Sequence, residues 1–149
     1  MKMPERPDPD LFAPCGVNCL VCYAHVRSKK PCPGCLCGDE GKTARCKRCA
    51  IKDCASSRGF VRCFECSGFP CASVKRLDKS YRLRYGTSLV ENSRLAASIG
   101  LEAFMEFERG KWTCRRTSNT GGVCCGGAVT VHGGTCSECG LSEIGRAHV

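Results

Sequence analysis

Residues 72–109 lack cysteine and carry the clearest helical periodicity in the chain. Val74, Leu77, Tyr81 and Tyr85 recur at i, i+3, i+7 and i+11 with Lys75, Lys79 and Arg82 on the flank, which predicts a helix from about Pro70 to Arg84, stopped by Gly86. Ser88-x-x-Glu91 is a capping-box pattern opening a second helix that carries Leu89, Leu95, Ala96 and Ile99 and ends at Gly100. Leu101, Phe104 and Met105, with Phe107 on another side, predict a third helix ending near Gly110. This apolar stripe is read as packing against the rest of the chain. Beyond Trp112 the pattern changes: Val129 and Val131 alternate with polar residues and Gly133-Gly134 is a turn signal, which together predict a β-hairpin.

The remainder has no regular pattern. Residues 1–10 hold three prolines and alternating charges and are expected to form a flexible arm. In residues 11–71, glycine and proline interrupt the chain so often that only short turns are expected. The organisation expected is therefore an arm (1–10), an irregular region (11–71), a helical segment (72–110) and a hairpin unit (111–142).

Composition explains how such a chain can fold. Cysteine supplies 17 of 149 residues, about 11%, above the roughly 8–10% that marks a covalently or metal-stapled scaffold. Leu, Ile, Val and Phe together make up about 19%, too few to support the chain by apolar burial alone. No apolar run approaches the roughly 18–20 residues that cross a bilayer, and the first residues do not read as a secretory signal. A soluble, cytoplasmic chain is expected. In a reducing compartment abundant cysteine points to thiolate metal ligands, and an odd total suits disulfides badly.

The spacing of the cysteines supports metal. Five Cys-x-x-Cys pairs occur: Cys19/Cys22, Cys32/Cys35, Cys46/Cys49, Cys63/Cys66 and Cys136/Cys139. Such a turn places two sulfurs on one ion while backbone N–H groups point at them. Cys46-x2-Cys49-x4-Cys54 recurs 17 residues later as Cys63-x2-Cys66-x4-Cys71, a tandem repeat suggesting duplicated units. At four ligands per ion, the twelve N-terminal cysteines fill three sites, and a fourth takes Cys114, Cys125 (or Cys124), Cys136 and Cys139, making the hairpin unit zinc-ribbon-like. One grouping joins Cys15, Cys19 and Cys22 to Cys37 or His25 and completes the two repeats with Cys32 and Cys35. His25 and His132 are otherwise read as polar or structural histidines.

Zinc is the favoured cofactor and an iron–sulfur cluster the alternative. Cys15-x3-Cys19-x2-Cys22 has the spacing of a radical-SAM cluster motif, yet the chain is too short for the barrel that chemistry uses. The ferredoxin run Cys-x2-Cys-x2-Cys-x3-Cys-Pro is absent. Neither a serine-centred elbow, a His-Glu-x-x-His motif nor a phosphate-cradling glycine loop occurs, so no catalytic residue is assigned. The fold class expected is a small metal-stapled, mostly irregular zinc-knuckle region plus short helices and a C-terminal zinc-ribbon-like hairpin. The function expected is a non-enzymatic zinc-binding interaction module, with an iron–sulfur redox protein and then a metal-dependent enzyme as alternatives.

Metal changes the charge picture. Sixteen thiolates against four divalent cations contribute eight net negative charges, lowering the formal +9 to about +1. From Lys42 to Arg84, twelve Lys and Arg face only Asp53, Glu65 and Asp78. These cations are read as offsetting the thiolates, with a nucleic-acid surface as the second reading. The partner is left open between protein and nucleic acid, and no membrane association is expected.

Ala13-Pro-Cys-Gly-x-x-Cys-x-x-Cys22, Cys32-Pro-Gly-Cys35, Cys63-Phe-Glu-Cys-x-x-Phe-Pro-Cys71 and Ile99-Gly-Leu-Glu-Ala-Phe104 together resemble the cysteine-rich family catalogued as domain of unknown function 3795, over about residues 12–140. The resemblance implies a small prokaryotic metal-binding protein, frequent in anaerobes, with no established activity. Family members often continue Trp-x-Cys-x-x-Cys-Gly-Gly; here Trp112 and Cys114 match, but Thr117 stands where the second cysteine belongs and Cys125-Gly-Gly follows an insertion. Cys37 is additional to the family pattern. Residues 143–149 read as a non-native tail, because they match one reading frame of a sequencing-library adapter; His148 is accordingly not offered as a ligand.

Overall fold

The structure, a computed structural model, describes residues 1–114 and 125–140. Six α-helices lie in the described residues: α1 (Tyr23–Val26), α2 (Ala44–Lys47), α3 (Ala50–Ser57), α4 (Ala72–Tyr85), α5 (Leu89–Ile99) and α6 (Leu101–Trp112). Short 3-10 turns occupy Pro9–Leu11, Cys19–Val21 and Cys63–Glu65. The three long helices fall where the periodicity predicts them, because their ends are written locally. Gly86 takes the left-handed conformation at φ 69° and returns its N–H to the Arg82 carbonyl. The Ser88 hydroxyl accepts the Glu91 N–H at 3.2 Å, the first half of the capping box. Gly100, at φ 92°, separates α5 from α6.

Two details differ from expectation. Helix α6 runs through Gly110 to Trp112, because Trp112 is buried and its indole N–H donates to Glu108 one turn back, at 2.8 Å. Within the cysteine-rich region, α3 makes two turns of true helix where only short turns were expected.

Helix α4 packs on α5 and α5 on α6. The α4–α5 corner is pinned by the buried Asp78 carboxylate, which accepts from Arg82 Nε (2.8 Å), Ser88 Oγ (2.8 Å) and Val90 N–H (3.0 Å). The main core gathers Phe12, Leu20 and Val21 from the N-terminal loop, Ala96 from α5, Phe104, Met105 and Trp112 from α6, and Val129 and Val131 from the C-terminal segment. Phe12 meets Phe104 edge-on at 5.2 Å. A second cluster sets Leu77 and Tyr81 of α4 and Leu89 of α5 against Ala13, Cys15, Val17 and Cys19. The predicted stripe is thus only partly inward: Leu95 and Ile99 are exposed, as is Phe107, which the pattern put on another side.

The zinc-ribbon hairpin is not borne out as strands. Among the described residues only isolated bridges form, Thr113 with Ala128 and Val129 with Cys136, and the intervening turn is closed by Thr130 N–H to Thr135 O at 3.1 Å. The reason is where the amides go. Val129 N–H donates to the Trp112 carbonyl (2.8 Å) and Val131 N–H to Val21 (3.0 Å), so the segment bonds to the end of α6 and to the N-terminal loop. Nor does the N-terminal arm stand free: Lys2 bridges Gly127, Met3 N–H donates to Gly126 O at 2.8 Å, and Arg62 Nη2 holds the Pro9 carbonyl at 3.0 Å.

Candidate metal centres

The C-terminal cysteines converge. Cys114 leaves the end of α6, Cys125 and Cys136 flank the bridged segment, and Cys139 closes the following turn. Their four sulfurs all lie within 4.8 Å of one another, with Cys114 to Cys139 at 3.9 Å and Cys125 to Cys136 at 3.4 Å. A tetrahedral ion with metal–sulfur bonds of roughly 2.3 Å requires sulfurs about 3.8 Å apart, so the group fits a single ion with little movement. Glu138 N–H points at the Cys136 sulfur at 3.4 Å, the knuckle interaction that partly offsets thiolate charge. Gly127 is needed here, since a Cβ would stand 2.5 Å from that sulfur. Cys124, the alternative ligand to Cys125, lies outside the described residues, as do the insertion at 115–123 and the tail from 141 to 149.

Eleven of the twelve N-terminal cysteines sort into two open cavities. Seven of them, Cys15, Cys19, Cys22, Cys32, Cys35, Cys46 and Cys49, line the first, of about 230 Å³, together with His25. Local structure aims each one. Gly16 turns the Cys15 loop at φ 101° and lets it lie on α5, where a Cβ would meet the Leu89 carbonyl oxygen at 2.4 Å. Cys19 begins the turn capped by the Asn18 side chain, Cys22 caps α1, Cys46 lies in α2, and Cys49 caps α3. The far wall is α4, through Tyr81 and Tyr85, and His132 closes it from the C-terminal segment.

The second cavity, of about 220 Å³, is lined by Cys54, Cys63, Cys66 and Cys71 with Phe60, Phe69, Gly68 and Arg58. The tandem repeat therefore does not fold as two equal cages. Cys49 and Cys54 are five residues apart at the start and in the second turn of α3, roughly 140° around the helix axis, so they face different cavities. In the second copy Ser67–Pro70 is not helical, and Cys71 folds back to join Cys63 and Cys66. Cys54, and not Cys32 or Cys35, stands with the second copy. Cys37 is exposed and lines neither cavity.

Burial and neighbouring charges move the thiols of the two cavities in different directions. Burial pushes the Cys15 thiol far above the usual thiol range and lifts Cys22 to about 11. Burial, then the neighbouring Cys71, Cys54, Cys49 and Cys66, lifts Cys63 to about 11. Cys35 moves the other way, held down by the Cys19 thiol that donates to it at 3.6 Å and by the Lys42 and Lys52 ammonium groups. Lys42 is itself buried and clamps the loop by donating to the Cys35 (3.0 Å) and Cys37 (2.6 Å) carbonyls. Arg58 Nη1 stands 3.8 Å from the Cys66 sulfur. Cations of the basic run thus do sit beside the thiols.

The histidines take different places. His132 accepts the Tyr23 N–H at Nδ1 (3.4 Å) and meets the Tyr81 hydroxyl at Nε2 (3.1 Å), within a ring of Tyr23, Tyr81 and Tyr85. Both its nitrogens are engaged, and burial lowers its pKa below the ordinary imidazole value. His25 Nδ1 donates to the Cys32 carbonyl at 2.6 Å, bracing the first cavity's wall. Sequence reasoning missed Arg58 as a sulfur partner and the tyrosine ring around His132; the first depends on how the end of α3 meets a turn eight residues on, the second on contacts between distant segments.

No curated protein and no solved structure matches the chain. Residues 11–76, both N-terminal cavities' cysteines included and the C-terminal group not, match the family described as a protein of unknown function, DUF3795, whose motifs the sequence resembles.

Proposed function

We propose that this chain is a zinc-binding interaction module, in which a structural zinc on Cys114, Cys125, Cys136 and Cys139 fastens the end of α6 to the C-terminal segment. The observation that carries this reading is the convergence of those four sulfurs within 4.8 Å. Four protein thiolates saturate a tetrahedral ion and leave no position for water or substrate, which is the character of structural sites and not of catalytic ones. The ion would tie together Trp112, Val129 and Cys136, all buried in the main core. Exposed Leu83, Ile99 and Phe107, with the cations of α4, offer contact to a protein or nucleic-acid partner. Thiolates stay available as ligands in the reducing cytoplasm, which the proposal takes as the setting. Among the described residues no helix is long and apolar enough to cross a membrane.

Elemental analysis of the purified chain tests the reading. At least one zinc per chain is expected, and Cys136→Ser should release one equivalent. Unchanged zinc in that variant would refute the site.

A further inference from the structure

The C-terminal four and the Cys54 four are both tetrads of cysteine, yet they are built differently. Among the described residues the C-terminal group is the one set of three or more such ligands whose donor atoms all lie within 4.8 Å of one another. Cys54, Cys63, Cys66 and Cys71 instead stand around a void of about 220 Å³. A lone ion with metal–sulfur bonds of roughly 2.3 Å would require the four sulfurs to collapse to about 3.8 Å apart, closing that void. A cubane cluster needs the open arrangement, because each thiolate binds its own iron at a separate corner and inorganic sulfide fills the space between.

We propose that Cys54, Cys63, Cys66 and Cys71 hold a four-iron, four-sulfide cluster, distinct from the zinc site. The four ligands come from three backbone elements: the second turn of α3, the 3-10 turn Cys63–Glu65 with its cap, and the residue capping α4. These elements space the sulfurs around a centre instead of pinching them together. The rest of the lining suits a cluster of net negative charge. Phe60, Phe69 and Ala55 supply apolar cover, and Arg58 reaches the Cys66 sulfur at 3.8 Å, a cation at the ligand where hydrogen bonding tunes such clusters. Gly68 lies against the same sulfur, a Cβ there standing 3.8 Å away, so the backbone passes close to the ligand. Cys54 and Cys71 are exposed, which puts one side of the cluster at the protein surface.

The test uses the full chain, purified without oxygen and reconstituted with ferrous iron and sulfide, with iron, sulfide and zinc measured separately. Cys54→Ala and Cys71→Ala, both at exposed positions, are each expected to lower iron and sulfide by four per chain while zinc at the C-terminal site is kept. Wild-type iron and sulfide in both variants would overturn the proposal, as would a loss of two of each. A second measurement needs no variant: after reconstitution, iodoacetamide should fail to alkylate Cys54 and Cys71 in peptide mass mapping, whereas both react in the stripped chain. Full alkylation of the reconstituted protein, or protection of these cysteines by zinc with no iron taken up, would overturn it. Because zinc and iron are counted apart, failure here leaves the C-terminal zinc reading standing, and loss of that zinc leaves this one standing.

Discussion

The Cys114 and Cys139 sulfurs stand 3.9 Å apart across 25 residues of sequence. One comes from the end of a helix that packs in the main core and the other from an exposed turn, so an ion between them would join buried structure to the surface. The consequence is mechanical: Val129 and Val131 are already bonded to Trp112 and Val21, and the ion would lock that docking in place.

Two neighbouring cysteines compete for one position in this site. The Cys125 sulfur stands 3.4 Å from Cys136, and the proposed site takes Cys125 as the ligand. Cys125→Ser should therefore release one zinc, whereas Cys124→Ser should keep the wild-type content, by elemental analysis after gel filtration. Equal zinc loss in both variants, or loss only from Cys124→Ser, would contradict the assignment.

Gly127 offers a test that leaves every ligand in place. A methyl group there would meet the Cys136 sulfur at 2.5 Å and the Glu138 Cβ at 2.9 Å, both held by the turn. Gly127→Ala should lower thermal stability by an amount equivalent to about 1–3 kcal/mol, the usual cost of overpacking, and weaken zinc retention against a chelator. A variant as stable and as zinc-tight as the parent would show that the turn yields easily.

What the sequence made legible was whatever is decided by neighbours in the chain. Gly86, Ser88 and Gly100 cap helices through bonds within one turn, and the three helices fall where the pattern put them. The C-terminal tetrad was legible by counting ligands, since four cysteines near the end match one tetrahedral ion. The hairpin forms no strands among the described residues, because alternation of Val129 and Val131 says that the segment is half-buried and not which carbonyls its amides find. Trp112 and Val21 supplied those carbonyls from elsewhere in the chain. The repeat misled for a related reason: identical spacing does not impose identical backbone, and a helix between Cys49 and Cys54 sends them to different cavities. Composition also understated the core, because the few large side chains, Phe12, Phe104, Met105 and Trp112, are concentrated in one cluster.

Trp112 reports on that cluster. It is buried, bonded to Glu108, and two residues from Cys114. Stripping the metal with a strong chelator should shift its fluorescence to the red, reduce helical circular dichroism and speed proteolysis, because loss of the ions removes the staples of a chain with little apolar surface to bury. Unchanged emission, dichroism and digestion after demonstrated metal removal would mean that apolar packing alone holds the fold.

Asp78 gives a prediction about acid that is separate from metal. Burial alone would raise its pKa, but the Val90 N–H, the Ser88 hydroxyl and the Arg82 guanidinium outweigh burial and hold it below the ordinary carboxylate value of 3.8. The folded state therefore binds fewer protons at this group than the unfolded state does. Its contribution to stability is fully present above the unfolded value and is lost as pH falls through the lower folded one. Asp78→Asn keeps the shape but removes the charge that receives three donors, and should cost about 2 kcal/mol at neutral pH, the scale of hydrogen bonds to a charged group. Denaturant unfolding of both proteins as a function of pH checks the sign. The gap between them should stay constant at mildly acidic and neutral pH and narrow once the carboxylate begins to protonate. A gap that stayed constant into strong acid would show that the α4–α5 corner is held by shape, with no contribution from the Asp78 charge.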